Sequence, residues 1–363
     1  MTLILNNEQI ETLLDMPACL AAMDQAYQEL GAGRAANIPR ADLLAPTETE
    51  GRYHAFKTMS GTIPHMKLTA LRLNSDVLHW PQGTGGDHLR VKIPAGRGQK
   101  WGGLIQLFDI ETGELVAIMP DGFIQKMRVG ATSGVAARHM ARPDASVVGL
   151  LGSGWQAGAQ LEAMARVRQL ETIKVYSPTV ANRCRFAAEM TARLGITVSP
   201  VDAPENAAQG AHILIAATNS LAPVIKGHWL EAGMHLTTVK SLSEVDDETV
   251  QRCDTIVVND HQLSDVYTLP GHEAKIPEFG TGEYRNDHLI HDVINWKNRP
   301  LLADVVGKRV LPRTDANAIT CFLNNPGTGI QFVAAAGHVL QQAKAQGIGH
   351  EIPTDWFLQS VHP

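Results

Sequence analysis

Three groups of residues have types and spacings that suit chemistry. The first is Gly152-Ser153-Gly154-Trp155-Gln156-Ala157, a GxGxxA element directly after the apolar run 146–151 and directly before the helical stretch AGAQLEAMARV. A strand that turns into a helix this way leaves the first helical N–H groups, and the positive end of the helix dipole, free for a pyrophosphate. Gly152 suits the tight turn, Gly154 lets backbone approach the phosphates, and the small Ala157 lets helix pack on strand. With strand before and helix after, the element reads as a dinucleotide site rather than as a plain turn.

The second group lies where the next strand ends, Tyr176-Ser177-Pro-Thr179, with Arg183 close behind. A site for NAD(H) usually places Asp or Glu here to accept hydrogen bonds from the ribose 2′-hydroxyl. Ser177 and Arg183 instead favour NADP(H), with NAD(H) the second choice; the plainer alternative puts Arg183 on a solvated helix face. The third group is cationic: Arg128 within the small-residue helix QKMRVGATSGVAARHMA, and Arg40, Lys57, Lys67 and Arg72 upstream. A guanidinium grips a carboxylate or phosphate bidentately and keeps its proton. The small neighbours of Arg128 speak against a solvent-facing helix position, whereas the upstream cations compete evenly with ordinary surface charge. The HxxH of Asp287-His288-Leu-Ile-His291-Asp292 lacks the i, i+4 spacing and third ligand of a helical zinc site, so no metal is expected.

These residues need a frame of two domains, which 363 residues can supply. With 44% apolar and 19% charged residues and a formal charge of -6, the chain reads as globular, without the basic surface a nucleic acid requires. Four scattered cysteines point to a reducing, cytoplasmic setting, and no apolar run approaches the roughly 20 residues of a membrane span. Two helices are predicted near the start, then strands over 53–59, 67–74, 103–108 and 114–119, the last two joined by the DIETGE hairpin turn. The Gly- and Pro-rich stretch 78–100 reads as a mobile loop in preference to an active-site lid. From 146 onward, strands at 146–151, 173–176, 196–198, 212–217, 235–239 and 255–258 follow the βαβ rhythm of a doubly wound sheet. The helical stretch GIQFVAAAGHVLQQAKAQGIG returns to the first domain. The reading is therefore α/β: a Rossmann-type sheet over 126–317 inserted in a smaller α+β unit made of 1–125 and 318–363.

Several linked motifs resemble the ornithine cyclodeaminase and mu-crystallin family, with its alanine dehydrogenase and ketimine reductase relatives. They are the LIQLFDIETGELVAIM hairpin, the Met127-Arg128 helix, Leu151 to Ala157, Ala216-Ala-Thr218-Asn219-Ser-Leu-Ala-Pro223, and Leu230-Glu-Ala-Gly233-Met-His-Leu. The resemblance implies a homodimer built through the smaller domain, cofactor contacts from Thr218, Asn219 and Val239, and Arg128 placed where cofactor phosphates and substrate carboxylate meet. Arg40 is similar to the family's early arginine. The family's strand lysine falls on Lys57 in one register, and Arg72 takes its place in another.

The implied activity is a C–N oxidoreductase on a small α-amino or α-imino acid. A deaminating cyclase with recycled cofactor and a non-catalytic binding protein are the alternatives. Two departures stand out. After Leu236 the text Thr238-Val-Lys240-Ser-Leu-Ser-Glu244-Val-Asp246 lacks the cyclodeaminase aspartate, and the stretch Gly327-Thr-Gly-Ile-Gln331-Phe332 has no acid where the family's C-terminal helix usually carries one after its glycine. The latter suggests a substrate whose far end is not a free amine.

Overall fold

The computed structural model of the chain describes residues 1–81, 91–96, 98–220, 222–262, 265–272 and 294–361. They are organised by two sheets. In the first, seven strands run in the order β10 (Val198–Pro200), β9 (Thr172–Tyr176), β8 (Val147–Leu151), β11 (Ile213–Ala216), β12 (His235–Thr238), β15 (Thr320–Leu323) and β13 (Thr255–Val258). Every pair is parallel. The central strands β11, β12 and β15 are buried at every residue, as strands covered on both faces must be. Strand order reverses between β8 and β11, which opens a crevice at their carboxyl ends, the usual ligand position of a Rossmann-type doubly wound sheet.

The second sheet is mixed and holds nine strands among the described residues. Its order is β14 (Asp265–Thr268), β2 (Ala36–Pro46), β3 (Arg52–Ile63), β4 (Leu68–His79), β6 (Gly102–Asp109), β7 (Leu115–Pro120), β1 (Thr2–Ile4) and β16 (His350–Ile352), with β5 (Val91–Ile93) also paired to β4. Along β3 and β4 buried and half-buried residues alternate strictly, the signature of one covered face. The C-terminal helix, Gly329–Gln346, packs on that face.

Several segments depart from the sequence reading, among them Ala36–Pro46, Val91–Ile93 and His350–Ile352, which are strands that it does not predict. Thr320–Leu323 lies between β12 and β13 in the parallel sheet, beyond the boundary expected at 317, and Asp265–Thr268 adds to β2 at the edge of the mixed sheet. A four-residue strand carries too little pattern to reveal which sheet will hold it. Thr2–Ile4 pairs with β7 and β16, although three residues before a helix give no strand signal. Within the 78–100 stretch, residues 82–90 and 97 lie outside the described residues, as does Asp287–Asp292.

The small-residue helix α3 (Gly122–Met140) joins the two sheets. It packs on α4 (Trp155–Val167), the helix opened by the glycine loop, and on the N-terminal helix Met16–Gly31. A Cβ on Gly130 would lie 2.5 Å from the carbonyl oxygen of Ala159, and one on Gly134 would lie 2.7 Å from Cδ2 of Leu20. The helix ends under Arg168, whose guanidinium donates to the carbonyls of Ala137, Arg138 and Ala141 and so satisfies a terminus that would otherwise leave acceptors bare.

Gly130→Ala is expected to destabilise the protein by about 1–3 kcal/mol, because backbone rather than a yielding side chain is in the way. Gly158→Ala on α4, whose added carbon meets only Sδ of Met190 at 3.5 Å, is expected to stabilise it by about 0.5–1 kcal/mol through helix propensity. Denaturant unfolding of both variants checks the contrast.

Candidate functional site

Gly152 leaves β8 with φ 114, a conformation open to glycine, and its Cβ position lies 2.2 Å from the carbonyl oxygen of Ala217 at the end of β11. Its N–H donates to the carbonyl of Tyr176. The next glycine is different: a Cβ on Gly154 would meet nothing within 4 Å. Gly154 is the N-cap of α4 and no side chain caps the helix; of the first-turn N–H groups, that of Ala157 donates to the carbonyl of Gly154. Gln156 has a buried Oε1 without a hydrogen-bond partner among the described residues. Ala157 is buried against the sheet, while Trp155 is exposed.

At the end of β9, Oγ of Ser153 donates to Oγ of Ser177 at 2.9 Å, joining the glycine loop to the neighbouring strand. Thr179 is the exposed N-cap of the following helix. Arg183 is not on a solvated face. It is 6% exposed, donates to the carbonyl of Ser177 at 3.2 Å, lies 5.8 Å from the Tyr176 ring centroid and pairs with the exposed Asp202 at 2.5 Å.

The loops after β11 and β12 are tied together by Glu244. Its Oε1 accepts from N and Oγ1 of Thr218 at 2.8 and 2.9 Å, and its Oε2 accepts from N of Lys240 at 2.8 Å. Burial pushes this carboxyl above its ordinary range, and the three donors work against that shift. Val239 donates to the carbonyl of Ala216, and Asn219 sits exposed beside Thr218. Asp246 caps the short helix Asp247–Arg252 by accepting from N and Oγ1 of Thr249. Both acids after β12 are thus committed to local structure.

The cations gather on the covered face of the mixed sheet. Register pairs Asp42 with Lys57, Lys57 with Asn74, and Met59 with Arg72. Lys57 and Arg72, which sequence registers set against each other, therefore lie on one face of adjacent strands, and both are buried. Arg72 donates from Nε to Asp121 at 2.8 Å. Arg40 sits in the β-bulge of β2 and forms a bidentate pair with the buried Asp42, at 2.7 and 2.5 Å. Lys67 falls outside this group: it is exposed, in a left-handed turn at the far end of β3.

Arg128 comes in from α3. Its Nε and Nη2 donate to Oε1 of Gln125, and its Nη1 donates to Oε1 of Gln331 at 2.7 Å. No carboxylate pairs with it among the described residues. The Phe332 ring lies against both guanidiniums, 5.0 Å from Arg128 and 5.5 Å from Arg72. Burial, together with the nearby charge of Arg72, pushes the pKa of Arg128 down to about 9, which marks a charge short of compensation.

Asn324 joins α3 to the end of β15: its Nδ2 donates to the carbonyl of Val129 and to Oγ of Ser133. Its Oδ1, and Oγ1 of Thr238 at the end of β12, are buried without partners among the described residues. An uncapped helix N-terminus beside a bare glycine, with unpaired polar atoms at the ends of the parallel strands, fits a dinucleotide laid across the crevice. Nothing in the local sequence marks Asp121, Thr238 or Asn324, which reach the site by tertiary contact, and Gln125, one helical turn before Arg128, carries no signal of its own; Gln331 lies in the stretch set apart by its lack of the family's acid.

Comparison with known proteins agrees with this arrangement. The model of the Ornithine cyclodeaminase/mu-crystallin family matches residues 97–347. Alanine dehydrogenase of Archaeoglobus fulgidus is 27% identical over 356 residues, covering 97% of this chain and 98% of that protein. The structure of Thermococcus litoralis Delta(1)-pyrroline-2-carboxylate reductase in complex with NADH and L-proline superposes with a TM-score of 0.78 at 27% identity, covering 97% of this chain and all of that one. An archaeal alanine dehydrogenase dimer with bound NAD gives a TM-score of 0.76 at 26% identity, covering 97% and 99% of the two chains.

Glu244→Gln is expected to destabilise the protein by about 1–3 kcal/mol, since an amide can accept from Thr218 but turns a donor toward N of Lys240. Faster amide exchange at Thr218 and Lys240 than in the parent protein is the corresponding local signature.

Proposed function

Because the chain belongs to the ornithine cyclodeaminase/mu-crystallin family, we propose that it is a nicotinamide-dependent oxidoreductase acting on the C–N bond of a small α-amino or α-imino acid. The observation that carries this reading is the buried guanidinium of Arg128, which no carboxylate pairs among the described residues, on the helix that packs against the glycine-loop helix. Gly152 to Ala157, with Ser177, Thr179, Thr218, Asn219 and Val239, hold the dinucleotide. Arg128 serves both the cofactor phosphates and the substrate carboxylate. Arg40, Lys57 and Arg72 complete the cationic wall, with Asp42 and Asp121 paired to Arg40 and Arg72.

The bound cofactor supplies or accepts a hydride at the substrate α-carbon. In the reductive direction the C=N bond becomes C–N, a C–H bond forms, and the substrate nitrogen keeps or gains a proton for which Lys57 or water is the source. Positioning is the main contribution of this chain, because hydride transfer needs the two carbons within about 3–3.5 Å. Cyclodeamination is the weaker reading, since Glu244 and Asp246 are both held in structural hydrogen bonds.

NADP(H) is the proposed preference, with NAD(H) accepted. Ser177 brings no carboxylate against a 2′-phosphate, and Arg183 is adjacent. Its pair with Asp202, which is 95% exposed, is of the surface kind that contributes about 0–1 kcal/mol, so exchange for a phosphate costs little.

We also propose a homodimer through the other face of the mixed sheet, where Leu43 and Leu104 are exposed and Phe56 and Leu73 half-buried in neighbouring strands. Leu73→Glu is expected to shift the protein toward monomer in sedimentation, and an unchanged oligomer would exclude this face.

The activity is tested by following NADPH and NADH oxidation with cyclic imino acids and with keto acids plus ammonia or small amines. Turnover is expected, with the lower KM for NADPH, and Arg128→Lys should reduce kcat/KM by a factor of about 100 or more. Inactivity across the whole panel would refute the reading.

A further inference from the structure

Gln331 is fully buried at the start of the C-terminal helix, and all four of its hydrogen-bonding positions are used. Its Oε1 accepts from Nη1 of Arg128 at 2.7 Å and from N of Thr328 at 3.0 Å. Its Nε2 donates to the hydroxyl of Tyr27 at 2.8 Å and to Oγ1 of Thr132 at 2.9 Å. The hydroxyl protons then have one direction left: Tyr27 donates to Oδ1 of Asn259, and Thr132 donates to the carbonyl of Arg128. Asn259 in turn donates to the carbonyl of Pro326. Burial pushes the Tyr27 phenol up to about 12, which keeps it a donor. Each member of the network fixes the orientation of the next.

A guanidinium has five N–H donors. Three of those on Arg128 go to Gln125 and Gln331, so two remain among the described residues, one on each terminal nitrogen. Both anchors are neutral amides, unlike the partners of Arg40 and Arg72, which are aspartates. A carboxylate at residue 331 would satisfy the same nitrogen and cancel the charge that an anionic ligand needs. It would also remove the donor that orients Tyr27 and Thr132.

We propose that Gln331 is a positioning and specificity-determining residue, whose neutral amide aims Arg128 while leaving its charge available, so that the site selects a carboxylate over an uncharged carboxamide. Gln125 does the same from the opposite side of the guanidinium. This rests on the oxidoreductase reading above for its kinetic test but not for its binding test.

The experiment compares the parent protein with Q331E, Q331M and Q125E. Kinetics use 1-pyrroline-2-carboxylate, with inhibition by L-proline against L-prolinamide; melting uses protection by pyruvate. For Q331E, KM for the imino acid should rise at least tenfold and the preference for proline over prolinamide should fall at least tenfold. Q331M, which loses hydrogen bonds but adds no charge, should keep that preference. Q125E sits at a half-buried position and supplies the same charge test if Q331E does not fold.

Parent turnover combined with an unchanged carboxylate preference in the folded glutamate variants overturns the assignment and spares the activity. Parent inactivity on every imine refutes the activity, and the assignment is then judged by melting. Pyruvate must protect the parent and not the glutamate variants, and equal protection or none in the parent overturns it.

Discussion

The site depends on one close contact, the backbone approach of α3 to α4 at Gly130 and Ala159. Helices normally sit 8–10 Å apart, and small residues at the crossing place them at the near end of that range. Here the crossing joins the helix that carries Arg128 to the helix that the glycine loop opens. A side chain at Gly130 would separate the two functional groups even if each kept its own geometry.

The second constraint is electrostatic. Taking a guanidinium out of water costs several kcal/mol unless it is paired and hydrogen-bonded. Arg40 and Arg72 meet that cost with Asp42 and Asp121. Arg128 meets it only in part, through two amide oxygens and the face of Phe332, and its lowered pKa records the remainder. Folded-state stability is given up where the proposed ligand anion would restore it, which is how functional sites commonly differ from structural ion pairs.

Glu244 shows the opposite use of a buried charge. It accepts from two loops at once and so sets the crevice wall at the ends of β11 and β12. An acid that sequence position alone leaves open to a chemical role thus has every oxygen occupied by backbone or side-chain donors.

Features that depend on neighbours in sequence were legible in the chain itself. The glycine loop between Leu151 and Trp155, the apolar runs that became β8, β11 and β12, and the small-residue helix around Arg128 all follow from local period and backbone freedom. Pairing between distant segments was not legible. The placement of Thr320–Leu323 in the parallel sheet, the common face shared by Lys57 and Arg72, the aspartate that holds Arg72, and the hold of Gln331 on Arg128 each join segments far apart in sequence or hinge on strand register. Periodicity tells each residue which side of its own element it occupies, but only packing decides what stands opposite.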